Sequence, residues 1–186
     1  STAMIADACG VSKALLYHYY SSKEEVLFDL LDAHLRHLVE VLERAAETPG
    51  GTARLHAIAA SLLDAYRGAD AEHQVQIASL KLLPADKQAA LKASERRLVA
   101  IVSDAIADAV PALAGRRTLL MPLTMSFFGM LNWHYLWFRE GKGLTRGQYA
   151  RMATALILSG AQDAATAATA PPAKRAAARG PVKIKA

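Results

Sequence analysis

Along most of this chain the hydrophobic positions recur every three or four residues, the spacing that lines one face of a helix. The rhythm is clearest through Leu27, Leu30, Leu31, Leu35, Leu38, Val39 and Leu42. It predicts one helix from Ser22 to the Thr48-Pro49-Gly50-Gly51 break, about 25 residues and ~38 Å long. Ser22 and Glu25 are spaced as a capping box, in which each side chain answers the other's unpaired backbone N–H. Upstream, a short pattern from Thr2 to Ala8 leads through Cys9-Gly10-Val11 to a second one from the N-cap Ser12 to Tyr19. Two short helices around a glycine turn predict a helix-turn-helix unit, with Ile5, Ala6, Val11 and Leu16 facing inward. Downstream the pattern predicts helices at 52–67, 71–83, 85–110, 116–140 and 145–162, jointed at Gly68, Pro84, 111–115 and Gly141-Lys142-Gly143. No fixed-period repeat is present. The expected domains are 1–47, the helix-turn-helix with its connecting helix; 48–163, a helical domain; and 164–186, a tail expected to be disordered or at most a fraying helix.

Composition agrees with an all-α fold: among 186 residues there are 39 Ala and 25 Leu, against 16 Val and Ile together. Charge changes the picture in an unexpected way. The net charge of +5 comes entirely from Lys174, Arg175, Arg179, Lys183 and Lys185, so residues 1–170 sum to zero. A basic pI therefore says nothing about the folded body, and any case for nucleic-acid binding must rest on the placement of individual residues. A lone cysteine, Cys9, and the lack of signal-peptide patterning predict a reducing, cytoplasmic setting. Thr118 to Phe138 is uncharged and long enough to span a bilayer, yet Pro122, Thr124, Ser126, Asn132 and His134 make a buried helix of a water-soluble protein the better reading, with no membrane partner.

Thr2, Ile5-Ala6, Gly10-Val11-Ser12, Leu16-Tyr17, Tyr19-Tyr20 and Lys23 together resemble the DNA-binding signature of TetR-family transcriptional regulators. That resemblance implies a further helix ahead of Thr2, and an all-α effector-binding and dimerising domain after the connecting helix. It also implies a homodimer on a palindromic double-stranded operator. On this reading the DNA contacts are Thr2, Ser12, Lys13, Ala14, Leu15, Tyr17, His18, Tyr19 and Lys23. Thr2, Tyr17, Tyr19 and Lys23 take positions that commonly hold phosphates in the family, fixing register without reading sequence. Physical chemistry supports several of these roles. Lys13 and Ala14 are compact or polar at the start of the recognition helix, Leu15 could meet a thymine methyl, and His18 offers a hydrogen-bonding ring. Lys23 is a cation in the first turn of a helix, an unfavourable place that a bound phosphate would make favourable.

Other chemistries find little support. His34, His37 and Glu40 recur at three-residue steps, but a solvated helix face is the better account than a metal site, and Cys9 has no second cysteine. Neither a nucleophile elbow nor a phosphate loop occurs, so neither an enzyme nor a cofactor is expected. Both tryptophans and three of the four phenylalanines gather between Phe127 and Phe138. Core or dimer packing is the ordinary reading of such a stripe. A pocket drawing on Phe127, Phe128, Asn132, Trp133, Trp137 and Arg139 would suit an effector with an apolar part and an anionic part. The run from Phe128 to Thr145 is similar to TetR-family regulators of fatty-acid, phenylacetate or steroid catabolism, which implies an acyl-CoA thioester as effector. In the family the last two long helices form the dimer interface, here about Arg116 to Glu140 and Thr145 to Gln162. Ala153, Ala155, Ser159, Gly160 and Ala161 would permit close helix approach. The leading expectation is a dimeric, effector-released repressor; the alternative is a helical module held on DNA mainly by its basic tail.

Overall fold

The computed structural model describes residues 1–113 and 115–169, and the described residues hold helices and no strands. The basic tail beyond 170, and with it the charge run expected there, lies outside the described residues. Among the described residues eight α-helices follow in order: α1 (Thr2–Ala8), α2 (Lys13–Tyr19), α3 (Lys23–Ala46), α4 (Gly51–Ala65), α5 (Asp70–Ser79), α6 (Ala85–Ala109), α7 (Arg117–Asn132) and α8 (Arg146–Thr169).

The core forms where apolar stripes meet. Leu31, Leu35, Leu38 and Leu42 of α3 pack with Leu55, Ile58, Leu62 and Leu63 of α4, and Leu91, Val102 and Ile106 of α6 close the layer. Helix α4 sits between α3, α6 and α8. Ala150, Ala153 and Ala161 are fully buried, so α8 presents methyl groups to this core. Part of the small-residue stripe assigned to a dimer contact therefore packs within the subunit, while Ala155, Ser159 and Gly160 do face outward.

Four expectations are corrected by the structure. The helix expected over 116–140 stops at Asn132, because side chains take its last carbonyls: His134 Nδ1 lies 3.0 Å from the Leu131 carbonyl oxygen, and the Tyr149 hydroxyl donates to the Met130 carbonyl at 2.7 Å. A single 3₁₀ turn, His134–Leu136, follows. The helix expected over 71–83 likewise ends at Ser79 and gives way to a 3₁₀ turn over Leu80–Leu82. At the other extreme α8 runs on to Thr169, past the end at 162 expected for this helix, as its alanine-rich composition favours. Finally, His34 does not stand on a solvated face: it is 9% exposed, whereas His37 is exposed. Among the described residues no helix is long and apolar enough to cross a membrane.

Candidate functional site

The N-terminal unit is assembled by short polar contacts around one tight turn. Gly10 adopts φ +67°, a conformation that favours glycine, and lets α2 turn back on α1. Ala6 is buried at the crossing, whereas Ile5, Val11 and Leu16 are only half-buried. Ser12 caps α2, its Oγ accepting from the Leu15 N–H at 3.0 Å. Downstream of the cap every residue from Lys13 to Leu15 and from Tyr17 to Tyr19 is exposed, leaving one whole face of α2 available.

Several expected DNA contacts are brought together. Thr2 Oγ1 and the Tyr17 hydroxyl lie 2.9 Å apart, tying α1 to α2 through two phosphate candidates. The Lys13 ammonium sits 5.6 Å from the centre of the Tyr17 ring, and His18 meets Tyr19 edge to face at 5.1 Å. Lys23 stands apart at the start of α3, 3.7 Å from Glu24 and largely exposed. The cap of α3 departs from the expected box. Ser22 Oγ does accept from the Glu25 N–H at 3.2 Å, but the Glu25 carboxylate reaches the Ser21 N–H at 2.6 Å instead of that of Ser22. Hydrogen bonds from Ser21 hold the Glu25 carboxyl below its usual value. Behind it, the Tyr20 hydroxyl is raised by the neighbouring Asp29 carboxylate.

A second site lies inside the helical domain. Leu35 and Leu38 of α3, Tyr66, His73 and Gln76, Glu95, Leu98 and Val99 of α6, and Met125, Phe128 and Asn132 of α7 line a partly open cavity of ≈ 280 Å³. Its polar groups are already ordered. The Tyr66 hydroxyl donates to Asn132 Oδ1 at 2.7 Å, and Gln76 Nε2 donates to Glu95 Oε1 at 3.0 Å. Burial pushes the Tyr66 phenol well above its usual value, so it remains a neutral donor. The His73 ring packs 5.0 Å from that of Tyr66 and 5.7 Å from that of Tyr135. Next to the wall residue Leu35, His34 is held below the ordinary imidazole value by burial, a shift that Glu72 opposes and His37 reinforces.

The residues expected to bind an effector are divided by this arrangement. Phe128 and Asn132 line the cavity. Phe127 is fully buried in the core. Trp133 and Trp137 are about half exposed, at 51% and 56%, because α7 ends before them. Trp137 and Arg139 instead border a surface hollow of ≈ 300 Å³ with Phe138, Lys142, Leu144, Tyr149 and Met152. Its floor is braced by Arg146, which pairs with Glu140 and lies 4.8 Å from the Phe138 ring. Sequence reasoning missed Tyr66, His73, Gln76 and Glu95, which reach the cavity from three separate stretches of chain. Periodicity marks their helices but not which polar residues converge.

Residues 1–30 match the family described as bacterial regulatory proteins, tetR family, and residues 48–161 match the tetracyclin repressor-like C-terminal domain. Among solved structures, a TetR-family transcriptional regulator from Bordetella parapertussis is 36% identical, with 88% of this chain and 85% of that one covered at a TM-score of 0.79. The TetR-family regulator PfmR from Thermus thermophilus is 25% identical, covering 86% and 87% with a TM-score of 0.74. AibR, solved in complex with isovaleryl coenzyme A and operator DNA, is 26% identical, covering 85% and 86% with a TM-score of 0.70. No curated protein matches the sequence.

Proposed function

Since the chain belongs to the TetR family of bacterial regulatory proteins, and is thus a DNA-binding, ligand-responsive transcriptional regulator and not an enzyme, we propose that it is a homodimeric repressor released from a palindromic operator by an effector in the cavity. The carrying observation is that α3 belongs to both sites. Its first turn, with Lys23, follows the recognition helix α2 after three residues of chain, and further along Leu35 and Leu38 form a wall of the cavity. A ligand that displaces this wall would move the helix that follows the DNA-binding unit in the chain. Release requires that the effector bind the DNA-free arrangement better than the DNA-bound one.

The dimer is proposed to form through the outward face of α7 and α8. Met121 and Leu156 are exposed there at 56% and 57%, with Met125 and Met152 beside them and Ala155, Ser159 and Gly160 giving room for close approach. A twofold axis there would present two copies of α2 to the two half-sites of one duplex. For the effector we retain an acyl-CoA thioester, supported by the isovaleryl coenzyme A complex of AibR. The acyl chain would lie among Leu35, Leu98 and Phe128, while the phosphates would stay outside the cavity.

The test is operator binding by the full-length dimer, followed by fluorescence anisotropy, with saturating acyl-CoA thioesters, the matching free acids and CoA alone. The expected result is loss of operator affinity with thioesters of suitable chain length. Full affinity with every member of the series would contradict release by this class. Deleting residues 171–186 addresses the tail-driven reading, which the charge distribution favours. A tail-driven binder would lose most affinity and much of its salt dependence, whereas the repressor keeps its discrimination between operator and random DNA.

A further inference from the structure

The wall of the α3–α7 cavity carries a carboxylate and, among the described residues, no lysine or arginine. Glu95 is half-buried there, and among the described residues it has no ion pair. Among the described residues its one hydrogen bond is to a neutral group, Gln76 Nε2, which occupies Oε1 and leaves Oε2 to accept another donor. Around it stand Leu98, Val99, Met125 and Phe128, apolar surfaces that leave that side of the carboxylate less solvated than open water.

We propose that Glu95 sets the polarity of the ligand: the part enclosed by the cavity is apolar and bears an uncharged or cationic hydrogen-bond donor, a hydroxyl or an ammonium group, and never a carboxylate or phosphate. This rests on the reading of the cavity as the effector site and sharpens it. An anion placed within the cavity would meet a like charge at short range, and the described lining holds no lysine or arginine to offset it. A hydroxyl or ammonium would instead complete the unused acceptor of Glu95. An acyl-CoA keeps its charges out of the cavity by inserting only its uncharged part, and it offers Glu95 a donor only where the chain carries a hydroxyl or a pantetheine amide N–H reaches in, so the cavity separates a thioester from the free acid that its hydrolysis releases.

The experiment is isothermal titration of the full-length dimer near neutral pH with octan-1-ol, octylamine and octanoate, which share a chain and differ in the charge of the polar end. Octylamine and octanol are expected to bind, and octanoate at least ~10-fold more weakly than octanol. Glu95→Gln is expected to weaken octylamine and strengthen octanoate, each by ~10-fold or more, while octanol changes little. Glu95→Asp keeps the charge and should keep the preference, so a general loosening of the fold would show as both variants behaving alike and would overturn the assignment. Octanoate binding to the unaltered protein within about threefold of octanol would overturn the polarity rule alone. Failure of all three to bind, or binding that survives filling the cavity with Val99→Trp, would overturn the cavity as the ligand site.

Discussion

Gly51 opens α4 where that helix meets the end of α6, and a Cβ there would lie 2.5 Å from the Ala109 backbone nitrogen. Backbone cannot rotate aside as a flexible side chain can, so the two helices would have to part. Gly51→Ala is therefore expected to cost about 1–3 kcal/mol, seen as a lower urea midpoint at unchanged slope. An unchanged midpoint would mean that the helices separate freely. The sequence reveals Gly50-Gly51 as a break, but not this crowding, since nothing local points to Ala109. His34 carries a second residue-scale consequence. Its imidazole is held below the ordinary value of about 6.5 in the native state, mainly by burial, so the unfolded chain takes up the proton first. The resulting stability is complete above that ordinary value and is lost as pH falls through it toward the lower native one. Thermal midpoints measured at descending pH should fall less steeply for His34→Gln than for the unaltered protein. Parallel profiles would remove His34 as a cause.

At the scale of elements, α3 shows why some features are legible in the sequence and others not. Its start is readable from Ser22 and Glu25, its length from seven apolar positions in phase, and its end from Pro49-Gly50-Gly51, all local signals. The end of α7 is not readable, because no glycine or proline marks it. His134 and Tyr149 stop it by occupying the Leu131 and Met130 carbonyls, and Tyr149 comes from the following helix. Trp133 and Trp137, expected as pocket lining on a continuous helix, are thereby carried to the surface. The helix-turn-helix is legible as a pair of helices around Gly10, since its signature is contiguous; the cavity is legible only at Phe128 and Asn132, since Tyr66, His73 and Glu95 join them only after packing. Leu35 joins both levels, being fully buried in the core and part of the cavity wall. Leu35→Ala should lower stability by about 2–5 kcal/mol, and added ligand should recover part of the loss. A cost below about 1 kcal/mol would show that α3 is not held by this contact.

For the whole molecule, the proposed dimer turns a weak contact between one recognition helix and one half-site into a bivalent one. Leu156 is more than half exposed in the single chain, so Leu156→Glu should leave the subunit folded while placing two like charges near the twofold axis. Sedimentation is expected to show a monomer with an unchanged helical spectrum; a persisting dimer would place the interface elsewhere. The central claim is that the exposed face of α2 reads a symmetric DNA sequence. Its most direct test is selection of duplexes from a random pool by the full-length protein, alongside Lys13→Ala. Enrichment of an inverted repeat, with half-sites about 10 base pairs or a multiple of that apart, is the expected result, and Lys13→Ala should relax it at particular positions. A pool that stays random, bound with an affinity set by salt alone, would contradict the account.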